Sequence, residues 1–305
     1  MLNALTVDVE EYFHPNAMDD VVAPSQWEVL PRRVEDNTRR LLDLLAGQAV
    51  HATFFVLGWV AERYPSLVRD IAARGHEVAC HGYAHRLAYR LGPEQFRADV
   101  GRAKGILEDL LGREVQGFRA ASWSIVNASL WAFDILIEAG FAYDSSVFPI
   151  RHDLYGIPEF SRVPICITRP AGRIVEIPAS TVRLAGRNWP AAGGGYLRLL
   201  PFGFTRWAVR HLNDAEHMPA MVYVHPWELD PSQPQLPAGW LTRTRQYRNL
   251  RHTEPRLRCL LREFRFGRLR DAFAAALHAA AAGASLPLSD SAAGTDTPPS
   301  GASRS

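Results

Sequence analysis

Six residues in this chain have types and positions suited to hydrolytic chemistry: Asp8, Glu10, His81, His85, Arg119 and His225. Asp8 and Glu10 are separated by one residue, so on a regular strand both side chains point to one face. Two carboxylates aimed at one face repel unless a cation or a proton lies between them. His81 and His85 are four residues apart in EVACHGYAHRLAY, a spacing that suits two ligands or two incidental surface histidines equally. Alone, His225 reads as a core histidine and Arg119 as half of a structural ion pair. The set is more specific than its members. Two histidines and one carboxylate are a ligand set for Zn²⁺ or a similar divalent ion, with open positions for water. A second carboxylate can take a proton from water. An arginine can keep that carboxylate ionised and oriented, and a separate histidine can deliver a proton to a leaving group. These are the parts of a metal-assisted hydrolase acting on an amide or ester.

Such a set works only if the fold converges it. Apolar runs at 4–9, 51–57, 77–80 and 117–120 read as strands, and 32–45, 59–74, 93–111 and 127–138 as helices. Pro93 fits a first helical turn and Asn127 a helix cap. This alternation predicts βα units on a parallel sheet, whose chemistry lies at the C-terminal strand ends. Asp8, Glu10, His81 and Arg119 fall at those ends. After Pro149 the pattern loosens. One strand is expected at 174–177, helices at 201–212, 254–265 and 268–282, and a further strand, MVYV, runs directly into His225. From 283 the Ala, Ser, Pro and Gly composition predicts a disordered tail.

Composition excludes several classes. The chain has 305 residues, 47% hydrophobic and 22% charged, enough for a sizeable core without disulfides or a structural metal. A net charge of +2 is too balanced to argue for nucleic acid or an anionic membrane surface. Cys80, Cys166 and Cys259 are scattered and odd in number, as in a reduced protein; Cys80 adjoins His81 but should face away from it. The first residues lack the basic and long apolar segments of a secretory signal, and no window approaches the ~20 apolar residues of a membrane span. The expectation is a soluble cytoplasmic protein.

The motifs TVDVE (6–10), HGYAH (81–85), FRAASW (118–123) and VYVH (222–225) resemble, in order, those of the polysaccharide deacetylases, the NodB-homology enzymes of carbohydrate esterase family 4. Longer stretches, among them ATFFVLGWVAERYP, YDSSVFPIRHDLYGIP, AGGGYLRLLP and VYVHPWELD, resemble the exosortase-associated (PEP-CTERM locus) subfamily. The resemblance implies a distorted (β/α)7 barrel with a C-terminal extension: a deacetylase region at 1–150, an extension completing the barrel at 151–282, and a tail at 283–305. It implies Asp8 as catalytic base, Arg119 as its orienting partner and His225 as general acid. His81, His85 and a carboxylate would hold the metal. It implies an N-acetylhexosamine polysaccharide as substrate and a place in exopolysaccharide synthesis.

Three departures bear on these expectations. The family motif has two adjacent aspartates, whereas Val9 follows Asp8 here. The one-residue skip favours Glu10 as third ligand, and a strand bulge would favour Glu11. Gly82 replaces a hydroxyl residue of the histidine motif, and Ala121 replaces a proline of the arginine motif. Trp123, Tyr196 and Trp227 lie beside the motifs and are candidates for stacking on sugar rings. Gly193–Gly195 lacks the pattern of a phosphate loop but suits close backbone approach near a sugar site. His14, His76 and His152 have no spacing partner and read as structural, His152 being the one expected to border the pocket. No G-x-S-x-G elbow supports a serine esterase. The ligand set admits Zn²⁺ first and also Co²⁺ or Ni²⁺. The same site would suit O-deacetylation or a small cyclic amide, and a polysaccharide-binding pseudoenzyme is the alternative from another class.

Overall fold

Leu2–Val9 forms strand β1, and its alternating side chains divide between two apolar clusters. Leu5, Val7 and Val9 enter the larger cluster beneath the helices. Ala4 faces the smaller inner cluster with Phe55, Ala79, Tyr143, Val175, Met221 and Tyr223. The same period of two holds on β2 (Thr53–Val56), β3 (Glu77–Cys80) and β10 (Met221–Val224). The computed structural model describes residues 1–191 and 193–283; the expected tail beyond Gly283 lies outside them.

Seven strands run parallel in the order β10-β1-β2-β3-β4-β5-β7, with β4 at Gly117–Phe118, β5 at Tyr143–Asp144 and β7 at Gly172–Glu176. β6 (Ile165–Arg169) pairs antiparallel outside β7, and β11 (Arg265–Gly267) pairs parallel with the start of β1. β8 (Thr181–Leu184) and β9 (Arg187–Pro190) form a separate hairpin. The fold is α/β as expected. The backbone ladder does not close between β7 and β10 among the described residues. There the Met221 N–H donates instead to Ser180 Oγ at 2.7 Å, so a side chain bridges the gap.

Helices cover the outer face: α1 (Val34–Ala46), α2 (Gly58–Arg63), α3 (Pro65–Ala73), α4 (Ala88–Leu111) and α5 (Ala132–Glu138). The remainder are α6 (Gly194–Leu199), α7 (Phe202–Asp214), α8 (Trp240–Tyr247), α9 (Thr253–Glu263), α10 (Leu269–Ala272) and α11 (Ala274–Ala281). The single helix expected at 59–74 is two, because Tyr64 precedes Pro65 and is driven out of the helical region (φ −127°, ψ 59°). Asn127 opens a short 3₁₀ turn and caps nothing. Ser129 Oγ takes the Val126 N–H, and α5 begins only at Ala132. The helix expected to reach 265 stops at Glu263, where the chain enters β11. None of the described helices is long and apolar enough to cross a membrane.

Residues 151–282, expected as an extension completing the barrel, contribute strands to the same sheet as residues 1–150. β10 pairs with β1 in the register Ala4↔Met221 to Val7↔Val224, and β7 pairs with β5. Both regions therefore build one sheet, joined along two strand seams.

Candidate active site

Strand parity carries five side chains to one mouth. Asp8 shares its face with Ala4, Glu10 follows two residues on, His81 continues the Glu77–Ala79 face, and His225 continues the Met221–Tyr223 face. Arg119 follows β4 on the face opposite Phe118, which lies in the outer core. Asp8, Glu10, His81, His85, Arg119 and His225 all line a single pocket of about 170 Å³.

Glu10, His81 and His85 each offer a ligand atom, and those atoms lie within 4.8 Å of one another. Glu10 Oε2 is buried without a hydrogen-bond donor of acceptable geometry, although His85 Nε2 is 2.7 Å away. That arrangement fits two ligand atoms converging on a third centre. The His81 Nδ1–H donates to the Arg119 carbonyl at 2.8 Å, which leaves Nε2 as the free lone pair. Burial lowers His81 to about 4, so its ring is neutral, as a ligand must be. Burial also disfavours charge on His85, but the Glu10 carboxylate outweighs it and raises that ring. Burial would raise Glu10, yet His85, His225 and His81 together hold it well below the usual carboxylate range. A divalent cation here would replace the proton that His85 otherwise holds against Glu10.

Glu11 is elsewhere. Its Oε1 accepts the Arg33 and Val34 N–H groups at 2.7 and 2.9 Å, satisfying the first donors of α1. Burial raises this carboxyl to about 7. Cys80 faces the outer core and is fully buried, which raises its thiol to about 12.

The histidine loop is shaped by Gly82 and His85, both with positive φ (73° and 51°). A Cβ on Gly82 would meet Asp99 Oδ2 at 2.8 Å. That carboxylate accepts the Tyr83 N–H at 2.7 Å, so α4 supplies the turn support that Gly82 lacks.

Asp8 Oδ1 accepts from Arg119 Nη1 at 2.7 Å. Arg119 is 1% exposed and also donates to Thr6 Oγ1 and Ser145 O, with its guanidinium 4.1 Å from the Phe55 ring centroid. It is therefore a fixed partner. His225 faces the carboxylates with Nε2, 3.9 Å from Asp8 Oδ2 and 3.7 Å from Glu10 Oε1. Its Nδ1–H donates to Glu228 Oε2 at 2.9 Å, and Arg198 Nε donates to Glu228 Oε1 at 2.6 Å. Burial would lower His225, but Glu228, Glu10 and Asp8 outweigh it and raise the ring to about 9. Burial would raise Glu228, but Arg198 and His225 bring it down to about 2.

Glu228 and Arg198 were not among the residues expected from sequence. The visible signal was Glu three residues after His225, with the capping geometry in which His225 N–H also reaches Glu228. The glycine run explains Arg198. A Cβ at Gly193 (φ 118°) would lie 2.1 Å from Tyr223, and one at Gly194 2.6 Å. Only glycine lets this backbone cross β10 and bring α6 to Glu228.

The aromatic candidates divide. Trp123 lines the pocket but is nearly buried, packed on Tyr223 and Phe148, and both Ser122 and Trp123 adopt positive φ (50° and 56°). Trp227 also lines it; it is buried, its Nε1–H donates to Glu10 Oε1 at 3.0 Å, and its ring stacks on His225 with centroids 5.2 Å apart. Tyr196 stands behind the wall, its hydroxyl 2.9 Å from that of Tyr155, which itself lines the pocket. His152 reaches the pocket only by stacking on Tyr155. His14 is buried beside Trp59 and Trp27, and His76 accepts the Ala52 N–H.

Residues 19–135 match the polysaccharide deacetylase family, and residues 145–274 match a domain of unknown function (DUF3473). The first match includes His81, His85 and Arg119, and the second includes His225, Glu228 and Arg198. The chain is 33% identical over 96 residues to the peptidoglycan-N-acetylglucosamine deacetylase of Bacillus cereus, covering 31% of this chain and 35% of that one. It is 52% identical over 48 residues to the chitooligosaccharide deacetylase of Rhizobium leguminosarum bv. trifolii, covering 16% and 22%. The matched stretches span less than half the length of these curated relatives. A solved structure from Mycobacterium smegmatis, named a "putative polysaccharide deacetylase", superposes with a TM-score of 0.63 at 21% identity, covering 98% of this chain and 94% of that one. This last likeness shows the fold alone.

Proposed function

We propose that this chain, whose residues 19–135 match the polysaccharide deacetylase family, is a metal-dependent hydrolase that removes N-acetyl groups from N-acetylhexosamine units of a polysaccharide. The observation that supports it is the meeting, in one pocket, of the Glu10–His81–His85 cluster with the Arg119–Asp8 pair and His225. A divalent ion held by Glu10, His81 and His85, with Zn²⁺ first and Co²⁺ or Ni²⁺ also admitted by the donors, would supply Lewis acidity toward the acetyl carbonyl.

The chain's own groups divide the proton chemistry. Asp8, held by Arg119, takes a proton from water as the water oxygen bonds to the acetyl carbon. A backbone N–H would stabilise the resulting oxyanion. His225, protonated and oriented by Glu228, gives its proton to the nitrogen as the C–N bond breaks. Acetate and a free amine leave. The resemblance to exosortase-associated deacetylases extends the proposal to exopolysaccharide biosynthesis, and the cytoplasmic expectation belongs to it as well, to be checked by cell fractionation.

The test is acetate release from acetylated chitooligosaccharides by the full chain, with and without a chelator and with added Zn²⁺, Co²⁺ or Ni²⁺. Loss with chelator and recovery with metal supports the reading. No release under any of the three metals, together with retained sugar binding, overturns it in favour of a binding protein.

A further inference from the structure

Three arginines line the pocket: Arg119, Arg198 and Arg245. The first two are buried and saturated, on Asp8 and Glu228 respectively. Arg245, on α8, differs from both. It is exposed, and its guanidinium has neither a carboxylate within 4.0 Å nor a hydrogen bond among the described residues. It lies on the Tyr155 and Tyr196 side, where its charge favours the ionised form of both phenols. Asp153, whose charge also reaches Tyr196, lies 2.9 Å from His152 Nδ1.

The surrounding segment has the same sign. Trp240–Arg270 contains ten arginines against two glutamates, although the whole chain carries only +2. Part of this excess, Arg251, Arg258 and Arg262, lines a separate surface groove of about 930 Å³ together with Arg40 and Arg206; Arg40 and Arg258 pair with Glu254 and Arg206 with Glu263, which leaves Arg251 and Arg262 without a carboxylate within 4.0 Å among the described residues. The near-neutral total conceals this local field.

We propose that the substrate is an acidic polysaccharide, in which the sugar next to the N-acetylated unit carries an anion, and that Arg245 selects it. The inference rests on the deacetylase reading for the identity of the neighbouring unit. With the acetyl group at the Glu10–His81–His85 end, the adjoining sugar extends toward the pocket rim. Arg245 presents there a planar, unengaged fork that matches a carboxylate or phosphate bidentately. The arginine-lined groove holds further anionic repeats of the same chain.

Calorimetric titration of the full chain tests this separately from catalysis. The probes are neutral N-acetylglucosamine oligomers, oligomers alternating glucuronate with N-acetylglucosamine, and N-acetylglucosamine oligomers bearing 6-phosphates. Wild type should bind at least one acidic series roughly tenfold more tightly than the neutral one, with the gain shrinking as salt rises. The series that gains names the anion. R245Q should lose most of that gain and R245K should restore part of it, whereas R258Q/R262Q should matter only for longer oligomers. If acetate is released, the same discrimination should appear in KM rather than kcat. Equal affinity for neutral and acidic oligomers overturns the proposal, as does an acidic preference that R245Q leaves intact. Equal binding of single-stranded DNA of matched charge also overturns it, by showing general polyanion affinity. Failure of acetate release with the anion preference intact would refute only the deacetylase reading.

Discussion

The two regions of the chain build their halves of the site by different means. In residues 1–150, chemistry is placed by strand parity. Asp8, Glu10, His81 and Arg119 lie at or just past the ends of the parallel strands β1, β3 and β4, and the period of two points all four inward. In residues 151–283, only His225 is placed that way. Glu228 reaches it from a 3₁₀ turn, Arg198 from a helix admitted by two glycines, and Arg245 from α8. On the proposed reading, the first region supplies the metal ligands and the base from strand ends, and the second supplies the proton donor and its tuning through long-range contacts. The two can fail separately.

The largest effects belong to the first region. Glu10→Gln, His81→Ala or His85→Ala should abolish metal binding measured by equilibrium dialysis. Asp8→Asn should retain the metal and lower kcat/KM on the order of 10²–10⁴-fold. If Asp8→Asn loses metal, the division of labour between Asp8 and Glu10 is wrong.

Glu228→Gln should act through the second region alone, lowering kcat roughly ten- to a hundredfold with metal content unchanged. The sign of its pH effect follows from His225. Against its burial, Glu228 with Glu10 and Asp8 raises the ring to about 9; the proposed general acid must be protonated, so activity should fall as pH rises through that value. Without the Glu228 charge the ring titrates lower, and the basic limb of the pH–rate profile moves down. An unmoved limb would show that Glu228 merely fills space.

How much of this could be read in advance follows the same contrast. Asp8, Glu10, His81 and His225 could be placed from alternation alone, because a strand's facing is a local property. The skip also matches where the two glutamates lie: Glu10 beside the histidines, Glu11 turned away to cap α1. Arg198 could not be placed: its partner is 30 residues on and meets it only because glycine allows the chain across Tyr223. The stacking expectation for Trp227 missed its indole N–H, whose acceptor, Glu10, is 217 residues away. The break at Tyr64 was legible in the following proline.

Trp227 also offers an intermediate test, because it is a contact from the second region to a ligand of the first. Trp227→Phe keeps an aromatic ring, though a smaller one, and removes the donor to Glu10. Metal affinity should fall roughly tenfold, as when an outer partner of a ligand is lost, while the His225-dependent limb stays in place. Unchanged affinity would mean that Glu10 is held sufficiently by the first region alone.

The smallest effect concerns the seam itself. Asp144 on β5 and Glu176 on β7 are register partners, both fully buried. Ser146 Oγ donates to Asp144, and the Ser146 and Val147 N–H groups donate to Glu176. Burial raises both carboxyls, and the Asp144 charge raises Glu176 further, well above its usual range. Groups whose folded values are raised stabilise the fold fully below their unfolded values, near 4, and lose that contribution as pH rises through the folded ones. The melting temperature should therefore fall by about a few degrees as pH climbs past 6. Glu176→Gln keeps an acceptor for the two N–H groups and cannot ionise, so its profile should be flatter over the same window. Glu11, raised to about 7 at the start of α1, has the same sign within the first region and serves as the comparison. If Glu11→Gln flattens the profile and Glu176→Gln does not, the alkaline weakness lies within the first region rather than at the β5–β7 seam.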